Sequence, residues 1–468
     1  MQKSTFVKNI LDGSLSKNIL LFALPLAFTG ILQQLFNAAD IAVVGQFTGE
    51  LGAQCMAAVG ACAPLINLLV NLFIGISLGS NVVIANMTGH RNEKGSSRAA
   101  KTSVIIALIG GFFIAIVGQL ITPALMRWMS VPDEVFGMAM EYMRIYLIGM
   151  PVILLYNFCA AIFRGIGNTR LPLLTLSFAG IVNVALNLFL VAVLHLNVAG
   201  VAIATITSNA ISSVLLIYLL FKKTKLMSMD YGKFRIDPEL AKRILKIGVP
   251  SGIQTSVFSI ANMVIQSGFN SLGTIVMAAS SASINLELTT FNFVSAFGQT
   301  CTTFIGQAYG AHQIKKCKKI LKICCMEGFG AVLIAASLIV CFGKDMIALF
   351  NSNPEVIEYG YYRLCILVFS HLFSVQYEVI SGYLRGFGIS LLPAVLTTFG
   401  VCILRIFWIL FIFPLKPTFE TIVMVFPISL GSAALMLVIA LIIKHPATRI
   451  LQDDAFRQNQ VISQTGQI

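Results

Sequence analysis

Apolar residues run along this chain in blocks of about 20 or more, each ended by a short polar or basic break, and that is the length a helix needs to cross a bilayer. The pattern predicts twelve spans, near 17–43, 55–84, 102–123, 137–162, 172–194, 198–221, 243–269, 275–306, 320–343, 359–383, 391–413 and 419–443. Three of these runs leave room for tilt or an interfacial extension. The first follows a basic stretch (Lys3, Lys8, Lys17) and has no small-residue cleavage site behind a short apolar core. It reads as a retained span rather than a removed signal.

The longest polar segment, FKKTKLMSMDYGKFRIDPELAKR (221–243), divides the chain almost equally. This gives an N-terminal lobe over 1–221, a basic linker over 222–242, a C-terminal lobe over 243–443 and a tail over 444–468. The halves resemble each other. LPLAFTGILQQLFNAAD aligns with VPSGIQTSVFSIANMVI, superposing Pro25 on Pro250 and Asn37 on Asn262. RGIGNTRLP (164–172) aligns with RGFGISLLP (385–393), pairing Arg164, Gly165 and Gly167 with Arg385, Gly386 and Gly388. Six spans per half is an even number, so the halves enter the membrane in the same direction, as parallel repeats do. The expected fold is an all-α integral membrane protein with twelve transmembrane helices in two pseudo-symmetric six-helix bundles. The repeated RGxGxxxxP reads as a structural hairpin: glycines permit the reversal and proline opens the next helix without losing a needed donor. An inner gate is the sharper alternative.

Composition agrees. Hydrophobic residues make up 57% and charged residues 11%, where a soluble domain carries about 25% charge. The net charge of +13 could suggest nucleic acid, but position decides otherwise. With the N-terminus inside, 26 Lys and Arg fall on cytoplasmic segments, three on outside loops and three within spans. That is the positive-inside pattern, with both termini cytoplasmic; no nucleic-acid role follows. The ten cysteines show no CxxC pair or metal spacing, so no disulfide framework or metal site is implied. HExxH, HxxxxD and GxxxxGK[ST] are all absent, which argues against an intramembrane enzyme and an ATP-driven pump.

What chemistry there is lies in a few polar side chains inside the spans. An acid at the centre of a membrane helix costs about 2.5–3.5 kcal/mol, and such residues commonly mark ion or substrate pathways. Asp40 in FNAADIAVVG, Glu287 in INLELTTF and Glu378 in VQYEVISGYLRG are the deep carboxylates. Gln34 and Asn37 precede Asp40 at i, i+3 and i+6 spacing, on or near one helix face. Asn183 and Asn187 stand one turn apart and serve equally as site or as interhelical glue. Arg405 is deep and needs a partner, for which Glu378 is a candidate. Of the five histidines, only His371 is embedded.

The twelve spans in two halves, the duplicated RGxGxxxxP, a proline early in spans 1 and 7, NxxD late in span 1 and the GQxxGA end of span 8 (Gly306, Gln307, Gly310, Ala311) together resemble the MATE (multidrug and toxic compound extrusion) family, over nearly the whole chain. The likeness is greatest to its bacterial DNA-damage-inducible and staphylococcal multidrug branches. It implies a V-shaped pair of bundles, a monomer in the bacterial plasma membrane, and export of cationic or amphipathic small molecules against inward proton or sodium flow, with no cofactor. It implies ion coupling at Asp40 with Asn37, Asn183 and Asn187, where sodium could bind through Asp40. Substrate contacts are implied at Gln34, Asn157, Thr205, Glu287 and Glu378, and a kink at Pro25. Several prokaryotic members carry a second acid where this chain has Val191. A lipid-linked saccharide or precursor flippase of the same superfamily is the alternative, but the deep set here is acidic or amide, with Arg405 alone.

Overall fold

The computed structural model describes residues 10–129, 131–224, 226, 234–349 and 351–452. Among them every regular element is helical. The first three spans are α1 (Leu15–Phe47), α2 (Gly52–Gly89) and α3 (Glu93–Trp128). α1 continues unbroken through Pro25, where Thr29 Oγ1 donates to the proline carbonyl at 2.7 Å. α3 starts where the Asn92 side chain accepts from the Gly95 amide at 2.8 Å, filling one of the orphan donors of a helix start.

The fourth predicted span is two helices, α4 (Asp133–Ile148) and α5 (Met150–Gly165), bent by 50° at Gly149. Pro151 lacks the donor that would carry the helical ladder across this point, so the bend has a local cause. The fifth span is α6 (Arg170–Asn187) followed by a π-helical segment, Leu188–Val193. α7 (Asn197–Lys222), α8 (Pro238–Ser271), α9 (Thr274–Gly310), α10 (Ile314–Ala348) and α11 (Pro354–Gly386) supply spans six to ten. The eleventh span breaks its α-helical ladder twice: α12 (Leu391–Thr397), a π segment Thr398–Ile403, α13 (Leu404–Phe407), and a second π segment Trp408–Ile412. α14 (Phe419–Lys444) is the twelfth. Ten of these helical segments are long and apolar enough to span a membrane alone, and the bent α4–α5 pair makes an eleventh. α9 completes the twelve by length, 37 residues, although Glu287 and its many Ser, Thr and Asn residues lower its hydropathy.

The described chain forms two compact units. One contains Leu24–Ile84 and Asn92–Ser259; the other contains Ile10–Ala23, Ala85–Arg91 and the residues from Ile260 onward. Three of the divisions fall inside α1, α2 and α8, and one, between Arg91 and Asn92, falls in the loop before α3. Within the first unit, Gly75 and Gly79 of α2 meet Gly248 and Gly252 of α8, a GxxxG pair on each helix. A Cβ on Gly75 would run into the Gly252 backbone, and one on Gly248 into the Ile76 carbonyl. Lipid is as apolar as leucine, so such close approach, with its dispersion contacts, replaces the hydrophobic effect as the force between these helices. In the second unit Ile265, Phe269, Leu367, Phe419, Ile422 and Phe426 pack a core between α8, α11 and α14. Large apolar side chains such as Phe113, Ile116 and Leu120 of α3 stay exposed, as lipid-facing positions must.

The repeated RGxG motif closes α5 and α11 in the same way. Gly167 and Gly388 adopt positive φ, 91° and 84°. The amides at 167 and 168 bond back to the carbonyls of Arg164 and Phe163, and those at 388 and 389 to Arg385 and Leu384. This is the Schellman end that a left-handed glycine permits. Gly165 and Gly386 face Ile84 and Ile305, which a Cβ would crowd at 2.9 and 2.6 Å.

Candidate functional site

In the first unit α1, α6 and α7 bring four of the predicted side chains together. Asp40 is buried, and Asn187 Nδ2 donates to its Oδ1 at 2.5 Å while Thr205 Oγ1 donates to its Oδ2 at 3.1 Å. The same Asn187 nitrogen also reaches Asn183 Oδ1 at 3.3 Å. Asn187 is the last residue before the π segment of the fifth span. Such π turns recur at functional sites, because the wider turn redirects a side chain. The Asn187 carbonyl oxygen is buried and accepts no hydrogen bond. Among the described residues no Lys, Arg or His lies within ion-pair distance of Asp40. Tyr142 and Tyr146 of α4, with ring centroids 6.1 Å apart, lie within electrostatic range of the carboxylate. Neither tyrosine stands out in the sequence, because α4 reads there as part of one straight span.

Asn37 is exposed, one helical turn before Asp40, and Gln34 is half-buried. Asn157 Nδ2 donates to its own helix at the Ile153 carbonyl, 2.9 Å away.

The second unit holds a different kind of cluster. Glu287 of α9 accepts from Arg363 Nη2 of α11 at 3.1 Å, and His371 Nε2 stands 3.7 Å from its other oxygen. Arg363 also donates to the Ser280 carbonyl at 3.3 Å. Arg405 of α13 donates from Nη1 to Asn262 Oδ1 at 2.8 Å and from Nε to Ser429 Oγ at 3.0 Å. Both guanidiniums face the ring of Phe426, at 5.6 Å for Arg363 and 4.8 Å for Arg405. Glu378 is paired with Arg385 at 3.6 Å, one helix face seven residues away, rather than with Arg405. The partners of Arg405 are missed in the sequence, although one signal was present: Asn262 is the repeat counterpart of Asn37.

Comparison with known proteins fits this architecture. The MatE family model matches residues 25–189 and 250–410, once in each half. Probable multidrug resistance protein YoeA of Bacillus subtilis is 27% identical over 397 residues, covering 83% of this chain and 85% of the relative. Probable multidrug resistance protein NorM of Thermotoga maritima is 25% identical over 398 residues, covering 83% of this chain and 84% of the relative. A MATE crystal structure in the bent conformation superposes with a TM-score of 0.86 at 23% identity, covering 96% of this chain and 99% of the other, and so shares the fold. With its family model matched in both halves of a twelve-helix membrane fold, the chain belongs to the MatE family, the transporters its motifs resemble, and is not an enzyme.

Proposed function

We propose that this protein is a secondary multidrug efflux antiporter of the bacterial plasma membrane, with both termini cytoplasmic, exporting organic cations in exchange for H+ or Na+ bound at Asp40. One observation carries this reading: Asp40 is a buried carboxylate whose partners, Asn187 and Thr205, are neutral. Burial in an apolar helix bundle penalises the ionised form, and no fixed cation offsets the penalty. A mobile cation can. Protonation neutralises the site and weakens its hold on a cationic molecule; ionisation restores it. The two occupants therefore exclude each other, which is the condition for exchange.

Two neighbours support a cationic occupant. The unengaged Asn187 Oδ1, the Asp40 carboxylate and the Thr205 hydroxyl are hard oxygen donors suited to sodium. Tyr142 and Tyr146 offer ring faces that attract an organic cation. The names of the relatives, multidrug resistance proteins of Bacillus subtilis and Thermotoga maritima, support small-molecule export. In this reading residues 1–221 and 243–443 act as the two lobes, and Gln34 and Asn157 are outlying substrate contacts. Pro25 softens α1, and the RGxG turns at Arg164 and Arg385 fix the cytoplasmic ends of α5 and α11.

The test is counterflow and gradient-driven flux of a cationic dye in proteoliposomes. An imposed pH gradient should drive dye accumulation without sodium, and replacing it with a sodium gradient should show which ion is used. Unchanged flux in Asp40→Asn would remove Asp40 from the mechanism.

A further inference from the structure

Arg405 is the least expected side chain in the second unit. It lies in a membrane-spanning segment, is 4% exposed, and sits on the short α13 between two π-helical stretches. Its hydrogen bonds go to Asn262 and Ser429, both neutral. Among the described residues no carboxylate lies within ion-pair distance of it. Charged groups inside a bilayer are normally paired or face a substrate path.

Its surroundings do not make up the deficit. Glu287 is already bonded to Arg363, and both guanidiniums act on it. His371 places a third basic group beside the same carboxylate. Arg363 is 3% exposed and its Nε has no acceptor; His371 Nε2 likewise makes no hydrogen bond. The other titratable neighbours of Arg405, Tyr377 and Cys402, are uncharged at neutral pH. One carboxylate thus serves two buried arginines, and donors outnumber acceptors. Glu287, with 17% of its side chain exposed, is less covered than Arg363, with 3%.

The internal repeat sharpens the contrast. At the spacing that superposes the two RGxG motifs, Phe426 falls on Thr205, and Asn262 is the counterpart of Asn37. The same three spans of each half therefore carry a polar cluster. In the first half it is a carboxylate among neutral donors; in the second it is a guanidinium among neutral acceptors and an aromatic ring. Corresponding spans of the two halves thus carry polar clusters of opposite charge.

We propose that the Arg363–Arg405 cluster is an anion site that holds the carboxylate or phosphate group of a transported molecule. A guanidinium fork matches both groups, and Phe426 offers a face for an aromatic body attached to the acid. Substrates would then include acid-bearing compounds as well as cations. The site stands on residues of the second unit alone, so it does not depend on coupling at Asp40.

The test is equilibrium binding of radiolabelled benzoate and inorganic phosphate to the purified full-length protein in detergent, without any gradient. Wild type should bind benzoate saturably. Arg405→Gln should weaken that binding by about tenfold or more, and Arg405→Lys, which keeps the charge but loses the fork, should weaken it less. Arg98→Gln, which removes an equal charge from an exposed cytoplasmic pair, should bind as wild type does. Benzoate binding together with benzoate counterflow in proteoliposomes identifies the acid group of a substrate. Phosphate binding without benzoate binding identifies a free inorganic ion as the occupant and overturns the substrate assignment. No saturable binding by wild type, or equal binding by the folded Arg405 and Arg363 variants, overturns the site itself. Because none of these measurements involves a proton or sodium gradient, they fail independently of the exchange reading.

Discussion

Asn187 donates from Nδ2 to Oδ1 of Asp40 across 147 positions of sequence, at the residue where α6 gives way to a π turn. This joins the fifth span to the first at the acid. It also leaves the Asn187 carbonyl oxygen buried and unengaged beside the carboxylate.

Asp40→Asn should abolish dye efflux coupled to an ion gradient, to under about a tenth of wild type, while insertion and chromatographic behaviour persist. The amide cannot ionise, so it can neither release a proton nor attract a cation. Flux in proteoliposomes, normalised to inserted protein, decides this.

Thr205→Val removes one donor to Asp40 and keeps the shape of the side chain. A hydrogen bond to a charged group contributes about 1.5–3 kcal/mol, so transport should fall roughly tenfold. Asn187→Ala should cost more, because it removes the second donor, the tie to Asn183 and the free carbonyl together. The apparent affinity for a cationic dye, measured for both variants, tests the order.

Glu287→Gln should destabilise the protein more than it alters affinity for cationic dyes. It leaves Arg363 buried beside a neutral group, and breaking a buried pair costs about 3–5 kcal/mol. Glu287→Gln combined with Arg363→Gln should recover part of that loss. Apparent melting temperatures in detergent for the two single variants and the double variant check the coupling.

Gly252→Val should disrupt the α2–α8 crossing, since added side-chain atoms would overlap the Leu72 carbonyl. A smaller effect is expected for Gly167→Ala, where a left-handed residue without glycine costs about 1–2 kcal/mol. Folded yield and melting temperature should rank Gly252→Val below Gly167→Ala, with Gly137→Ala, which has open space around it, close to wild type.

Part of the candidate cluster was legible in advance. Asp40, Asn183, Asn187 and Thr205, singled out by family resemblance, meet in one cluster. Asn37 shares a helix with Asp40 at suitable spacing yet is exposed, because adjacency along one helix does not say which face the neighbouring helices cover. Glu378 pairs with Arg385 on its own helix rather than with Arg405. Spacing along α11 allowed that pair, and only the placement of α13 ruled out the other.

What the sequence determined by itself is the local grammar: where apolar runs cross a membrane, where basic loops stop, and where a glycine must turn left-handed to end α5 and α11. Those features depend on contiguous residues and their solvent. Only the tertiary structure decided the bend at Gly149, the π turns beside Asn187 and Arg405, and which buried charge meets which partner. For Asp40, Glu287 and Arg405 the partner comes from another helix, 24 to 165 residues away, and its choice follows from how closely the helices pack.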